Sequence, residues 1–131
     1  MKSDSFRAAV EAEDTSRLGE ILAEDVRFLS PVVFRPYEGR DVVGTILAEG
    51  AMRVFEDFRY LHQLEDADAA TLIFSAHVGD RELEGLDLLR FNGDGLVSEL
   101  TVMVRPLSGI NALAAAMAAR FEALGIEPPR G

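Results

Sequence analysis

Residues 86–105, Leu-Asp-Leu-Leu-Arg-Phe-Asn-Gly-Asp-Gly-Leu-Val-Ser-Glu-Leu-Thr-Val-Met-Val-Arg, constrain the fold more than any other part of the chain. They read as two strands joined by an Asn92-Gly93-Asp94-Gly95 turn, whose glycines can supply the positive φ that a tight hairpin needs. Alternation on the first strand puts Leu83, Gly85, Asp87, Leu89 and Phe91 on one face, with Glu82, Glu84, Leu86, Leu88 and Arg90 on the other. One carboxylate therefore stands in an apolar row. Burying it is expensive unless it is paired, hydrogen-bonded or protonated, so Asp87 either holds a structural partner or serves a pocket.

The rest of the composition narrows the function classes. At 131 residues, 48% of them apolar, the chain is read as one domain, 1–131, with enough apolar material for a core. A formal charge of −10, with Lys and Arg scattered singly, argues against nucleic acid or an anionic membrane surface as partner. The absence of cysteine removes disulfides, thiol nucleophiles and thiolate metal sites, and fits a reducing compartment. No segment approaches the ~20 apolar residues that span a bilayer, and Met1 to Phe6 carry no signal-peptide core, so a soluble cytoplasmic protein is expected.

Along the chain, Ser3 or Asp4 caps a helix over 3–13, and Asp14 caps a second one bearing Leu18, Ile21 and Leu22. A strand is expected over 26–33, with Val26, Phe28 and Ser30 on one face, and Asp41 is expected to cap a third helix. Period-two alternation then runs from about Phe55 to Arg105, with Phe58, Tyr60, His62 and Leu64 on one side of their strand. A two-residue turn at Gly79-Asp80, pairing Val78 with Arg81, puts Leu72, Phe74 and Ala76 on the face of Asp87; a longer turn would reverse this. A last helix, 107–125, capped by Ser108 and ended by Gly125 and then Pro128-Pro129, reads as an appendage. This order predicts an α+β domain, a cone-shaped, curved antiparallel sheet with helices on one face, whose interior cavity turns inner-face polar residues into a site.

From Phe6 to about Arg105 the chain resembles the NTF2-like superfamily, in its SnoaL-like and ketosteroid-isomerase-like branches. The resemblance rests on the order and spacing of Glu13-Asp14 between two helices, Asp25-Val26-Arg27-Phe28 entering a strand, Ser30-Pro31 after it, Gly39-Arg40-Asp41 opening the third helix, and Leu86-Asp87 through Gly93-Asp94-Gly95. In ketosteroid isomerases a first-helix tyrosine and a protonated late-strand aspartic acid form an oxyanion hole, and an aspartate before a proline is the base. The resemblance carries the late-strand acid onto Asp87, the base onto Ser30 and the tyrosine onto Phe6. Serine takes no proton from carbon unaided at neutral pH and phenylalanine donates no hydrogen bond, so isomerisation by the family mechanism is not expected.

His62, beside Tyr60 by alternation, is a candidate base with an ordinary pKa of about 6.5, although a lone strand histidine is more often structural. His77 belongs at a hairpin end, and Arg40 is read as a surface partner of Glu38 or Asp41. The two histidines are far apart and no acidic cluster is spaced for a metal, so neither metal nor cofactor is called for.

The resulting expectation is a central cavity that binds a small hydrophobic or polycyclic molecule. Its walls are Phe28, Phe34, Phe58, Phe74, Leu89, Val102 and Val104, its polar points Ser30 and Asp87, and its chemistry cofactor-free proton transfer by Asp87 assisted by His62 or Tyr60. The alternative is a non-catalytic module that dimerises or binds a protein through its convex face. Met103, Leu86 and Leu88 form an apolar patch there, pointing to a homodimer unless the last helix folds back over it. That helix covers either the cavity mouth or a dimer surface.

Overall fold

A computed structural model of the protein describes residues 1–127. The Pro128-Pro129 pair expected after the last helix lies outside them. The elements run α1 (Asp4–Glu11), α2 (Thr15–Ile21), β1 (Leu22–Leu29), β2 (Tyr37–Glu38), α3 (Arg40–Thr45), a π-helical turn (Ile46–Ala51), α4 (Met52–Val54), β3 (Glu56–Glu65), β4 (Ala69–Val78), β5 (Arg81–Phe91), β6 (Val97–Arg105) and α5 (Leu107–Leu124).

The six strands form one sheet in the order β2-β1-β6-β5-β4-β3. All neighbours are antiparallel except β1 and β6, which run parallel, so the sheet is mixed where alternation had suggested a purely antiparallel one. The departure is topological: β1 lies beside a strand from the far end of the chain, with β2, the helical segment and β3 to β5 between them in sequence, so no hairpin ties the pair antiparallel. Gly79-Asp80 does pair Val78 with Arg81, and Leu72 stands opposite Asp87. On β4 and β5 every second residue is buried, which puts Leu72, Phe74, Leu83, Asp87 and Leu89 on the concave side. In the β5–β6 turn only Gly95 takes positive φ, at 78°, while the Asn92 Oδ1 accepts from the backbone N–H groups of Asp94 and Leu96.

Several local starts differ from the sequence reading. The first strand begins at Leu22 and ends at Leu29, because Pro31 lacks a donor and the chain leaves the sheet there. Gly39, at φ 100°, precedes α3 in place of an Asp41 cap, and α5 starts directly after Pro106, ahead of Ser108. Arg40 donates to the Leu22 carbonyl at 2.9 Å and so ties α3 to β1, in place of the expected surface pairing with Glu38 or Asp41. Asp14 caps α2 by accepting from Arg17 N. The N-terminus of α1 is capped from outside: Glu65 on β3 accepts from the backbone N–H groups of Lys2 and Ser3, each at 2.9 Å.

Helix α5 packs on the concave side. A Cβ at Gly109 would lie 2.8 Å from Leu83, an inward residue of β5, and Leu113 and Phe121 are buried against the core. It therefore leaves the convex patch uncovered, with Met103 60% exposed beside half-buried Leu86 and Leu88. A left-handed Gly125 (φ 71°) and an Ile126 N–H that reaches the Phe121 carbonyl end the helix.

Candidate active site in the cone

The concave face, α1, the chain after β1, the π-helical turn and α5 enclose a cavity of about 420 Å³. That volume lies toward the lower end of ligand pockets, roughly 300–1,000 Å³. Aromatic rings of the sheet and the chain entering it form one wall. Phe58 stacks on Phe74 at 4.8 Å and stands edge-on to Tyr60 at 5.0 Å, and Phe55 closes the group at 5.5 Å from Phe74. The Phe74 ring can lie flat across β5 because Gly85 has no side chain. A Cβ there would meet the Met103 carbonyl at 2.9 Å and the ring closer still.

Asp87 is set into this wall, 7% exposed. Its partner is the Tyr60 hydroxyl, which donates to Oδ2 at 3.3 Å, long for an O–H···O bond. One weak donor does not replace the water a carboxylate loses, and burial pushes the Asp87 carboxyl up to about 7 against the smaller downward pull of that hydrogen bond. Tyr60 is pushed well above its ordinary value by burial and then by the neighbouring Asp87 charge, so its phenol stays a donor at any physiological pH. Arg7 of α1 lies over the Tyr60 ring at 5.4 Å and donates to Gln63 at 3.0 Å. The geometry supplies a buried acid, protonated or ionised near neutral pH, and a permanent phenolic donor in contact with it.

His62 is not part of this group. The register of β3 against β4 shifts between Tyr60 and His62, so one extra residue turns His62 outward and Gln63 and Glu65 inward, onto α1. The imidazole is exposed, and the expectation that it assists Asp87 is overturned by that bulge. Phe34 is also misplaced, at 91% exposure: it sits in the loop between β1 and β2, where no ladder enforces alternation. Leu89 is fully buried and Val104 half-buried, and neither lines the cavity. Leu89 is paired between Ala70 and Leu100, both themselves buried, and belongs to the packed core. Phe28, Ser30, Phe58, Phe74 and Val102 do line it. So does Phe6, at the place the resemblance gives to a tyrosine.

The alternation argument missed the helical side of the cavity. Met52 follows the π-helical turn, and Ala114, Met117 and Phe121 come from α5; all four line the cavity. The apolar stripe of α5 was visible in the sequence, but not the wall it faces. Asp57 was missed too. It sits at the rim with a left-handed φ of 50° in a second β3 bulge, and its carboxylate meets His77 Nε2 at 2.6 Å. That contact raises the His77 pKa. Among the described residues no group of His, Asp and Glu is arranged to hold a metal ion, and no helix is long and apolar enough to cross a membrane.

Residues 4–100 match the SnoaL-like domain. The chain belongs to that family. The SnoaL-like fold it adopts, of the NTF2-like superfamily, is shared with a steroid delta-isomerase from Pseudomonas aeruginosa, 40% identical, with 94% of this chain and 90% of that one covered at a TM-score of 0.89. It is shared equally with an uncharacterised bacterial protein with a cystatin-like fold from Silicibacter pomeroyi, 33% identical, covering 92% and 85% at a TM-score of 0.88. An NTF2-like protein of unknown function from Mesorhizobium loti, 21% identical, covers 77% and 85% at a TM-score of 0.69 and shows the fold alone. No protein of curated function matches the chain.

Proposed function

We propose that this SnoaL-like protein binds a small, ring-bearing apolar molecule through one carbonyl oxygen, with protonated Asp87 donating to that oxygen and Tyr60 holding Asp87. The observation that carries the reading is the Asp87–Tyr60 couple in an aromatic wall, where the carboxyl keeps its proton up to about pH 7. The chemistry open to such a site is acid-side polarisation of a carbonyl, as in isomerisation, dehydration or cyclisation, with no cofactor. The likeness to a steroid delta-isomerase supports the ligand class. It does not carry over the reaction, because Ser30 and Phe6 line the cavity without a base or a phenol.

Binding of methyl naphthyl ketone, followed by its fluorescence, tests this. Asp87→Leu should weaken binding about tenfold or more, whereas Asp87→Asn, which keeps an N–H donor, should stay within about threefold of wild type. Wild-type affinity should fall as pH rises through about 7 and that of Asp87→Asn should not. Unchanged binding by Asp87→Leu would sink the reading.

A second copy of the chain is proposed as partner, on the convex face. Leu86 stands opposite Met103, next to Leu88, on neighbouring strands, and α5 covers the other side. Light scattering at micromolar concentration should give a dimer mass; a clean monomer would remove this proposal and leave the cavity reading intact.

A further inference from the structure

The cavity has two kinds of wall, and only one of them is adjustable. The sheet wall is locked by hydrogen-bonded ladders and stacked rings. The opposite wall includes a contact between the π-helical turn and α5, made where Gly50 faces the side chains of Met117 and Phe121. A Cβ at Gly50 would lie 2.8 Å from Met117 Cε and 3.7 Å from the Phe121 ring, so any side chain at Gly50 would displace the tip of Met117, itself part of the cavity lining. Ala114, one turn before Met117 on the same face, leaves further space at the lining. The contact is tied by Arg120, which donates to the Glu49 carbonyl at 3.0 Å and reaches the Glu49 carboxylate at 3.9 Å, where Arg53 also approaches at 3.5 Å. π-Helical turns inside helices recur at functional sites because they redirect one turn of side chains. Here the turn aims Gly50 at α5.

From this juxtaposition we infer that Gly50, Ala114 and Met117 are specificity-determining residues that set the size of the ligand, with Met117 as the movable stop and Arg120 holding α5 at that spacing. The inference rests on the apolar-ligand reading above and adds to it which wall measures the ligand. Methionine suits the role, being unbranched with three rotatable bonds. Substituting Gly50 by alanine pushes the Met117 methyl inward, since the cavity is the open space beside it. Filling Ala114 shortens the cavity directly, and truncating Met117 lengthens it.

The test compares dissociation constants for a two-ring and a four-ring ketone, methyl naphthyl ketone and progesterone, in wild type and in Ala114→Phe, Gly50→Ala and Met117→Ala. Ala114→Phe should weaken progesterone about tenfold or more while changing the naphthyl ketone less than about threefold. Gly50→Ala should shift the ratio the same way by about threefold to fivefold, and Met117→Ala should shift it in the opposite direction by a similar factor. Opposite shifts cannot come from partial unfolding, which weakens both ligands alike. If both ketones bind wild type but the ratio stays within about twofold in Ala114→Phe and Met117→Ala, this inference is overturned and the Asp87 reading stands. If neither ketone binds wild type, the ligand reading falls and takes the inference with it.

Discussion

The sheet wall and the helical wall of the cavity enclose the same space by different physics. Phe58, Phe74, Tyr60 and Asp87 are fixed twice, by backbone ladders and by ring contacts at 4.8–5.0 Å and a hydrogen bond at 3.3 Å. Gly50, Ala114 and Met117 are spaced by how closely two helical segments approach, with Arg120 to Glu49 as the polar tie between them. Chemistry needs the first kind of precision, because an acid displaced by an ångström no longer reaches its oxygen. Selection by size tolerates the second. Opposite that acid, the positions the resemblance gives to a phenol and a base are Phe6 and Ser30, both facing the cavity, and the carboxylates on that side, Glu11 and Glu13, belong to exposed residues of its lining.

The largest expected effect follows from that asymmetry. Turnover of a delta-5-3-ketosteroid should lie about 10⁴-fold or more below that of a competent isomerase, since a missing base costs about 10²–10⁴-fold and a missing oxyanion donor about 10²–10³-fold. A steady-state assay with turnover near the competent level would show that the helical side carries a base not recognised among Ser30 and Phe6.

Next in size, truncation of the two walls should differ. Phe74→Ala, fully buried in the sheet wall, should cost about 3–5 kcal/mol in urea unfolding, and half-buried Met117→Ala about 1–2 kcal/mol. Equal losses would mean that the helical wall is as tightly packed as the sheet.

Asp87 separates the walls by pH. Its carboxyl is raised from 3.8 to about 7 on folding, so between those values the native state holds a proton the unfolded chain has lost. Stability due to this group is therefore greatest at low pH and falls as pH rises from about 4 to about 7, by up to the order of 4 kcal/mol. Asp87→Asn should be more stable than wild type at pH 8, and the difference should vanish near pH 4; a variant less stable than wild type at pH 8 would show that the ionised carboxylate is better compensated than its one hydrogen bond implies.

The smallest effect is at the rim. His77 is raised by its hydrogen bond to Asp57, so its contribution is present below the ordinary histidine value and lost as pH rises through the raised one. His77→Ala should lower the melting temperature near pH 5.5 and scarcely at all near pH 9, as scanning calorimetry would read.

The sequence by itself determined the faces of β5 and β6, because alternation with one polar exception leaves a strand a single orientation: Asp87 had to point inward and Met103 outward, while the pairing of Val78 with Arg81 in the structure chose which face of β4 joins Asp87. It also determined Ser30 and Phe6 where the resemblance called for a base and a phenol, since chemistry cannot be supplied by groups that are absent. Only the tertiary structure decided that His62 is outside, because a bulge costs one residue of register and leaves no mark in a pattern of period two. It chose Tyr60 over His62 as the partner of Asp87, across strands that are not neighbours, and chose the cavity over the convex face as the surface α5 covers. A helix's apolar stripe states that something must cover it; which surface does so depends on the shape left by every other element.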